Sequence, residues 1–235
     1  MIHGRRVALE NRSRAVFALS YDGRRWVLKR KITPQGVLAE ALAWLLCQAM
    51  GMCIPHAAAV RPPRRPSARQ PEWIWASQYV ELLGWNEAVR ENVGDTSRFA
   101  GLMVLDAWLG NEDRHRDNLV LLQTPNLNRV EFLALDFDAA WVGSEIMRLP
   151  DWSAVPTPAL LPSPPVAELW RAAVPAWVAR ARGIPHNDLL QFVREACQLA
   201  NIPREQPLLT WLSRRRDHLD PIVDTMSTTL LEGVT

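Results

Sequence analysis

The run VLAEALAWLLCQAM at Val37 to Met50 constrains the fold most, because it is apolar almost all the way round a helix. Apolar residues fall at positions 37, 38, 41, 42, 45, 46, 49 and 50, a helical spacing broad enough to be largely buried. Gly51 and Pro55 follow where such a helix would end. Glu40 is the only charge in these fourteen residues, so we expect it to be paired rather than solvated.

A predicted β-hairpin precedes this helix. Residues 14–31 read RAVFALSYDGRRWVLKRK, two runs rich in Val, Phe, Trp and Leu on either side of a turn. The pair Asp22-Gly23 supplies the positive φ of that turn. The second run ends with Lys29 and Lys31, the only lysines among 27 basic residues. Because lysine is a compact point charge and arginine a planar fork, their placement is either chance or the sign of a site where arginine would not substitute.

The rest of the sequence predicts one further strand and then a mostly helical region. The strand-like run WIWASQYVELL at 73–83 leads into a connector. Helices are predicted at about 96–110, 166–182, 187–200 and 207–232, short strands at 118–123 and 131–136, and proline-rich loops at 61–71 and 149–166. The predicted fold class is therefore α+β, with a small β-rich lobe carrying one helix at residues 1–82 and a mostly helical lobe at 83–235.

Composition and charge exclude several classes of protein. The 235 residues are 48% hydrophobic and 22% charged, which is typical of a packed globular protein and not of a disordered one. The net charge of +2 gives no support for nucleic-acid binding. No apolar run approaches a membrane span, and the charged N-terminus is not a signal peptide. Three cysteines without metal-ligand spacing fit a reducing compartment, so we expect a cytoplasmic protein, although an effector exported without a cleaved leader would look the same.

The most polar segment lies between the helix predicted at 96–110 and the strand at 118–123. It reads NEDRHRDN from Asn111 to Asn118, and LALDFD follows at residues 133–138. Phosphoryl transfer needs a cation over the phosphates, a carboxylate to place that cation, a carboxylate to receive the acceptor's proton, and oxygen ligands for Mg²⁺.

The sequence offers these groups in chain order. They are Lys29 at the end of a strand, Glu40 on the next helix, Asp113 at the head of the polar loop, Asn118 at its close, and Asp136 at the end of the following strand. Asp113 and Asn118 are far enough apart for Asp113 to face a substrate while Asn118 turns toward a metal. Loop arginines usually make structural contacts, so Arg114 and Arg116 are given no role in phosphate binding.

These segments resemble those of the HipA-like serine/threonine kinases. NEDRHRDN with LALDFD is similar to the catalytic and metal-binding loops of that family, and more distantly to those of the phosphoinositide kinases. Upstream, RSRAVFALSYDGRRWVLK resembles the family's phosphate-binding turn and hairpin, VLAEALAWLLCQAMGMCIP its Glu-bearing helix, and WIWASQYVE the strand that leads into the hinge. The resemblance covers residues 12–142 and leaves the C-terminal helices unmatched.

The resemblance implies a bilobal protein-kinase-like fold that binds ATP and Mg²⁺. The residue roles it implies are Asp113 as catalytic base, Asn118 and Asp136 as metal ligands, Lys29 as the nucleotide lysine paired with Glu40, Ser13 in the phosphate-binding turn, and Tyr79, Val80 and Glu81 as the hinge whose backbone binds adenine. Asp138 stands where many kinases have glycine, so it is either a further metal contact or a structural substitution. We expect no room in this chain for the extra N-terminal domain of full-length HipA proteins.

We therefore predict a kinase that transfers the γ-phosphate of ATP to a serine or threonine of a protein substrate, with an antitoxin or regulatory partner as a further expectation. The alternatives are a phosphoinositide or small-molecule kinase of the same fold, and a catalytically silent binding module such as one half of a toxin–antitoxin pair. A metal phosphoesterase built on Asp113, His115 and Asp117 is weaker, since the other histidines supply no ligands. Neither direct nucleic-acid binding nor a membrane span is expected.

Overall fold

The computed structural model describes most of the chain. The described residues are 2–3, 15–29, 32–60, 74–79, 82–84, 97–114, 118–124, 129–144, 149–157 and 164–232. Strands and one helix make up the first part of these residues, and helices dominate the second part. The predicted α+β class is confirmed.

The strands of the first part form one five-stranded antiparallel sheet. They are β1 (Ile2–His3), β2 (Ala15–Ser20), β3 (Arg25–Lys29), β4 (Ala57–Val60) and β5 (Ile74–Gln78), in the spatial order β1-β2-β3-β5-β4. The hairpin predicted around Asp22 is formed by β2 and β3, and Gly23 in its turn has a φ of +79°. Ala15 and Trp75 lie opposite Lys29 on the two neighbouring strands, so Lys29 sits on the central strand of the sheet.

The apolar run predicted as a helix is α1 (Pro34–Ala49), which begins earlier than the pattern indicated. Thr33 caps it, because its hydroxyl accepts a hydrogen bond from the backbone N–H of Gly36 at 3.0 Å. A proline fills the first turn, where a missing N–H costs nothing. Residues 36–43 are all buried, Glu40 among them, so the helix is enclosed on every side over two turns.

A second, three-stranded antiparallel sheet follows. Its strands are β6 (Leu82–Gly84), β7 (Leu119–Thr124) and β8 (Arg129–Ala134), in that spatial order. The strand predicted within the run at 73–83 is confirmed as β5, but the run does not form one strand, because its last residues belong to β6 in the second sheet. The sequence AAAV of β4 is too short and too uniform to have indicated a strand. The division of the chain between residues 82 and 83 stays a prediction.

The remaining described elements are helices. They are α2 (Ser97–Leu109), α3 (Pro164–Arg182), α4 (His186–Ala200), α5 (Glu205–Asp217) and α6 (Leu219–Glu232), with a 3-10 turn at Trp141–Gly143. The prediction of one helix at 207–232 is wrong, since the chain breaks at His218. Pro221 explains the break, because its ring would clash with the carbonyl of Asp217 in a continuous helix. That carbonyl accepts a hydrogen bond from Arg182 Nη2 at 2.8 Å instead.

One hydrophobic core runs from α1 through α2 to the C-terminal helices. Trp108 of α2 is fully buried, and its indole N–H donates to the carbonyl of Leu212 at 3.0 Å, which ties α2 to α5. None of the helices that the structure describes is long and apolar enough to cross a membrane. Because α2 is anchored in the core and ends at Leu109, it fixes the start of the polar loop that leads into β7.

Candidate active site

Lys29 is the centre of the candidate site, because two other parts of the chain bring three carboxylates to its ammonium group. The Nζ atom forms ion pairs with Glu40 from α1 and with Asp136, which follows β8. A third carboxylate, Asp138, has Oδ2 3.6 Å from Nζ. The structure thus joins the end of β3, the middle of α1 and the LALDFD segment at one point. The predicted trio of Lys29, Glu40 and Asp136 is brought together.

Exposure increases from the inner to the outer side of this cluster. The Glu40 side chain is 7% exposed, Lys29 is 24%, and Asp136 and Asp138 are 33% and 38%. Glu40 therefore forms the closed back of the site, whereas the two aspartates reach solvent. A ligand that enters from solvent meets the aspartates and the lysine and not Glu40.

Burial and charge shape the protonation of the cluster. Burial alone would lower the pKa of Lys29, but the carboxylates of Glu40, Asp136 and Asp138 outweigh it and hold that pKa above its ordinary value. Burial raises the pKa of Glu40, an effect that the charge of Lys29 opposes. Burial also raises the pKa of Asp136, but the charge and hydrogen bond of Lys29, with Asp138 and Arg114, together hold that pKa below its ordinary value. Burial and the charge of Asp136 raise the pKa of Asp138.

The backbone around Asp136 is held in an unusual shape. Asp136 has a φ of +63°, a left-handed conformation that aspartate adopts more readily than most residues. The residue before it, Leu135, is fixed through its carbonyl, which accepts a hydrogen bond from Arg114 Nη1 at 2.7 Å. The residue after it, Phe137, is buried, and its N–H donates to Glu40 Oε1 at 3.4 Å. These contacts fix the direction in which the Asp136 carboxylate leaves the chain.

The buried Arg114 stabilises the polar loop through hydrogen bonds. Its guanidinium is fully buried and donates to both carboxylate oxygens of Asp106 on α2, at 2.8 and 2.9 Å. It also donates to the carbonyl of Asn118 at 3.1 Å and lies 4.9 Å from the ring centre of Phe137. Asp106 accepts a further bond from Asn111 Nδ2 at 2.8 Å. Arg114 is thus a structural residue that connects the polar loop to the LALDFD segment.

Asp113 lies on the exposed side of this loop. Its backbone N–H donates to Asn111 Oδ1 at 3.3 Å, and its carbonyl accepts from Asn118 Nδ2 at 2.7 Å. The loop backbone is therefore fixed on both sides of the exposed carboxylate. Asn118 is 6% exposed, and Oδ1 is the atom of its amide that could bind a cation.

The carboxylates at Lys29 form a donor set that fits a divalent cation. Among the described residues, Glu40, Asp136 and Asp138 each place a carboxylate oxygen within 4.8 Å of the other two. Hard oxygen ligands of this kind are those that Mg²⁺ prefers, and it is commonly held by one or two carboxylates together with substrate phosphates. Asp136 and Asp138 are the accessible members of the set.

The predicted hinge is described only at Tyr79. Its backbone N–H already donates to the carbonyl of Arg25 at 2.8 Å, so it extends the pairing of β3 with β5 and is not available to adenine. Its ring packs edge-on against Phe17 at 5.0 Å and under the guanidinium of Arg25 at 4.5 Å. The carbonyl of Tyr79 is the backbone group of this residue that could face a base.

Several predicted residues lie outside the described ranges. They are Ser13, Lys31, Val80, Glu81, His115, Arg116 and Asp117. Sequence reasoning also missed Asp106, although the signal was present. The helix SRFAGLMVLDAWL carries Asp106 as a lone buried carboxylate in an otherwise apolar stretch, the same pattern that singled out Glu40.

Comparisons with known proteins address the fold. No family model matches the sequence, and no curated protein matches it. Among solved structures, the chain is similar to the proinflammatory kinase CtkA of Helicobacter pylori, with a TM-score of 0.66 and 12% identity over 97% of this chain and 96% of that one. HipA of Shewanella oneidensis, solved with HipB and operator DNA, gives a TM-score of 0.46 at 10% identity over 95% of this chain and 67% of that chain. The similarity to CtkA shows that the protein has a kinase-like fold, so the predicted bilobal protein-kinase-like fold is confirmed.

Proposed function

We propose that this protein is an ATP- and Mg²⁺-dependent kinase of the HipA-like kind that transfers the γ-phosphate to a serine or threonine of a protein substrate. One observation carries the proposal: Lys29 is held by the buried Glu40 beside the solvent-reaching Asp136. Glu40 lies on an enclosed helix, so its partner Lys29 has a fixed position. A fixed cation beside an accessible carboxylate is what a nucleotide with its metal requires.

Each residue of the site has a role in this proposal. Lys29 binds the phosphates, Glu40 positions Lys29, and Asp136 with Asn118 holds Mg²⁺. A bound Mg²⁺ would neutralise negative charge on the phosphate oxygens. Asp113 accepts the proton of the acceptor hydroxyl, since its exposed carboxylate stands where the resembling kinases have their catalytic base. Asp138 adds a second accessible carboxylate next to Asp136.

The proposal also includes parts that lie at the edges of the site. Ser13 lies in the turn over the phosphates, and the backbone of Tyr79, Val80 and Glu81 binds adenine. For Tyr79 the contact is made by the carbonyl, because the N–H is engaged with Arg25. We place the protein in the cytoplasm, with an antitoxin or other regulatory protein as a second partner beside the substrate.

Incubation with γ-labelled ATP and Mg²⁺, alone and with cell lysate or lipid vesicles, tests the proposal. We expect label on protein, stable to mild acid and lost on mild alkaline treatment in the manner of phosphoserine. Asp113→Asn is the matched control and should transfer far less label. Label in the lipid fraction would support the phosphoinositide kinase alternative. No label in any fraction, with an intact folded protein, would support the silent binding module.

A further inference from the structure

Glu112, the residue before Asp113, joins the polar loop to two distant parts of the chain. Its Oε2 accepts a hydrogen bond from the indole N–H of Trp141 at 3.2 Å. Its Oε1 accepts one from the backbone N–H of Thr157 at 3.4 Å. A single exposed carboxylate thus links the loop to both segments that follow the LALDFD motif.

Trp141, the first partner of Glu112, is itself tightly held. Its backbone N–H donates to the carbonyl of Gly110 at 3.0 Å. Its ring lies so close to Gly110 that a Cβ at that position would be 2.3 Å from Trp141 Cε3. The guanidinium of the buried Arg215 lies 5.2 Å from the centre of the Trp141 ring. The indole N–H is therefore presented to Glu112 from a fixed position.

The segment that carries Thr157 is fixed by the same arginine. Arg215 Nη1 donates to the carbonyl of Trp152 at 2.8 Å and to that of Ala154 at 2.7 Å. Trp211 Nε1 donates to the carbonyl of Pro150 at 2.9 Å. Both partners of Glu112 are thereby anchored to α5 and the core of the helical part.

We infer that Glu112 is a positioning residue. Its hydrogen bonds to Trp141 and Thr157 fix the polar loop, and with it the exposed carboxylate of Asp113, relative to the segments after LALDFD. The inference rests on the proposed function, because it concerns transfer to the acceptor. Two hydrogen bonds on an exposed carboxylate add little to stability. They do fix the direction of the loop, and a displacement of about 1 Å at a reacting group can cost about 10²-fold in rate.

The inference predicts a specific kinetic pattern. Glu112→Ala should lower kcat for transfer by roughly 10- to 100-fold. It should leave the KM for ATP and the melting shift caused by Mg-ATP unchanged, and keep the melting temperature within about 2 °C. Glu112→Gln should recover much of the rate, because its amide oxygen still accepts the Trp141 N–H. Glu195→Ala removes an exposed carboxylate from α4 and should behave as wild type.

A double-mutant cycle with Trp141→Phe tests the link itself. Phenylalanine keeps a ring against Gly110 and removes the N–H donor, so we expect a fall in kcat smaller than that of Glu112→Ala. The double variant Glu112→Ala/Trp141→Phe should be no slower than Glu112→Ala alone, since both changes remove the same bond. The assay is steady-state transfer to a generic acceptor mixture of histone and casein, with thermal melting beside it.

The outcomes separate this inference from the proposed function. A Glu112→Ala protein with wild-type kcat, or with fully additive loss in the double variant, overturns the inference and leaves the kinase proposal standing. A Glu112→Ala protein that loses its Mg-ATP melting shift also overturns it, because the residue is then structural. A wild-type protein with neither transfer nor a Mg-ATP shift overturns the proposed function and this inference with it.

Discussion

Arg114 and Asp106 form an ion pair from which solvent is completely excluded. The pair joins the end of α2 to the polar loop, and Arg114 continues to the carbonyl of Leu135 next to Asp136. One guanidinium therefore sets the spacing between the loop that bears Asp113 and the segment that bears Asp136. This is a mechanical connection between the two proposed functional carboxylates, made through the backbone carbonyls of Asn118 and Leu135.

Removal of Arg114 should destabilise the protein strongly. In Arg114→Met the carboxylate of Asp106 stays buried without its cation, which costs roughly 3 to 5 kcal/mol of unfolding free energy. Urea unfolding followed by tryptophan fluorescence measures this loss. Arg180→Met is the matched control, because Arg180 is exposed and makes a long bond of 3.4 Å to the carbonyl of Met50. It should cost about 1 kcal/mol or less. Equal unfolding midpoints for the two variants would contradict the prediction.

Gly110 should tolerate no side chain. Its φ is +70°, which costs an L-residue roughly 1 to 2 kcal/mol, and an added Cβ would lie 2.3 Å from the Trp141 ring. Overpacking of this kind adds about 1 to 3 kcal/mol. Gly23 has a similar φ of +79° but no heavy atom within 4 Å of its added Cβ. Gly110→Ala should therefore lose more unfolding free energy than Gly23→Ala by at least about 1 kcal/mol in urea unfolding. Equal losses would show that the Trp141 ring moves away freely.

Lys29 and Lys31 should differ sharply in function. Alternation along a strand gives both residues the same face, so it does not choose between them. The apolar residues Trp26, Val27 and Leu28 run directly into Lys29, and Lys29 contacts Glu40 and Asp136. Lys29→Ala should abolish nucleotide binding or transfer, and Lys31→Ala should leave most of both. Titration with a fluorescent ATP analogue and a transfer assay check this ranking, and the reverse ranking would show that the register is wrong.

The sequence carried strong signals for the inner part of the site. Glu40 could be singled out because a lone carboxylate in an apolar helix must find a partner. Asp106 presents the same signal, but its partner Arg114 lies in a segment crowded with charges, so the pattern alone does not choose among them. The engagement of the Tyr79 N–H depends on how β3 pairs with β5, which is a long-range feature that a local pattern does not contain.

The fold was predictable where local rules act alone. The Asp22-Gly23 turn and the extent of α2 follow from turn chemistry and helical spacing. The break at His218 could have been predicted from Pro221, whereas the continuous apolar spacing favoured one helix. The separation of β5 from β6 could not have been predicted. The run at 73–83 has the same strand-like composition throughout, and only the partner strands distinguish its two parts.

The two proposed functional carboxylates should separate binding from transfer. Asp136→Asn should lose most of the thermal stabilisation expected from Mg-ATP, which for wild type should be about 2.7 kcal/mol at a hundredfold excess over the dissociation constant. Asp113→Asn should keep that stabilisation, because in the proposed mechanism its exposed carboxylate serves the acceptor and does not hold the metal. Its transfer rate should nevertheless fall by roughly 10² to 10⁴, the usual contribution of a positioned base.

Variants of Asn118 test whether this residue binds the metal or only stabilises the loop through its hydrogen bond. Its Nδ2 holds the carbonyl of Asp113, so Asn118→Ala removes both the brace and the oxygen, and should lose the Mg-ATP melting shift as Asp136→Asn does. Asn118→Asp keeps an oxygen ligand and removes the N–H donor. If Asn118 binds the metal, the Asp variant should retain the melting shift while its transfer rate falls. A melting series of the four variants with and without Mg-ATP, set beside transfer rates, measures this. Loss of nucleotide binding in Asp113→Asn, or an unchanged Mg-ATP shift in Asn118→Ala, would contradict this division of roles.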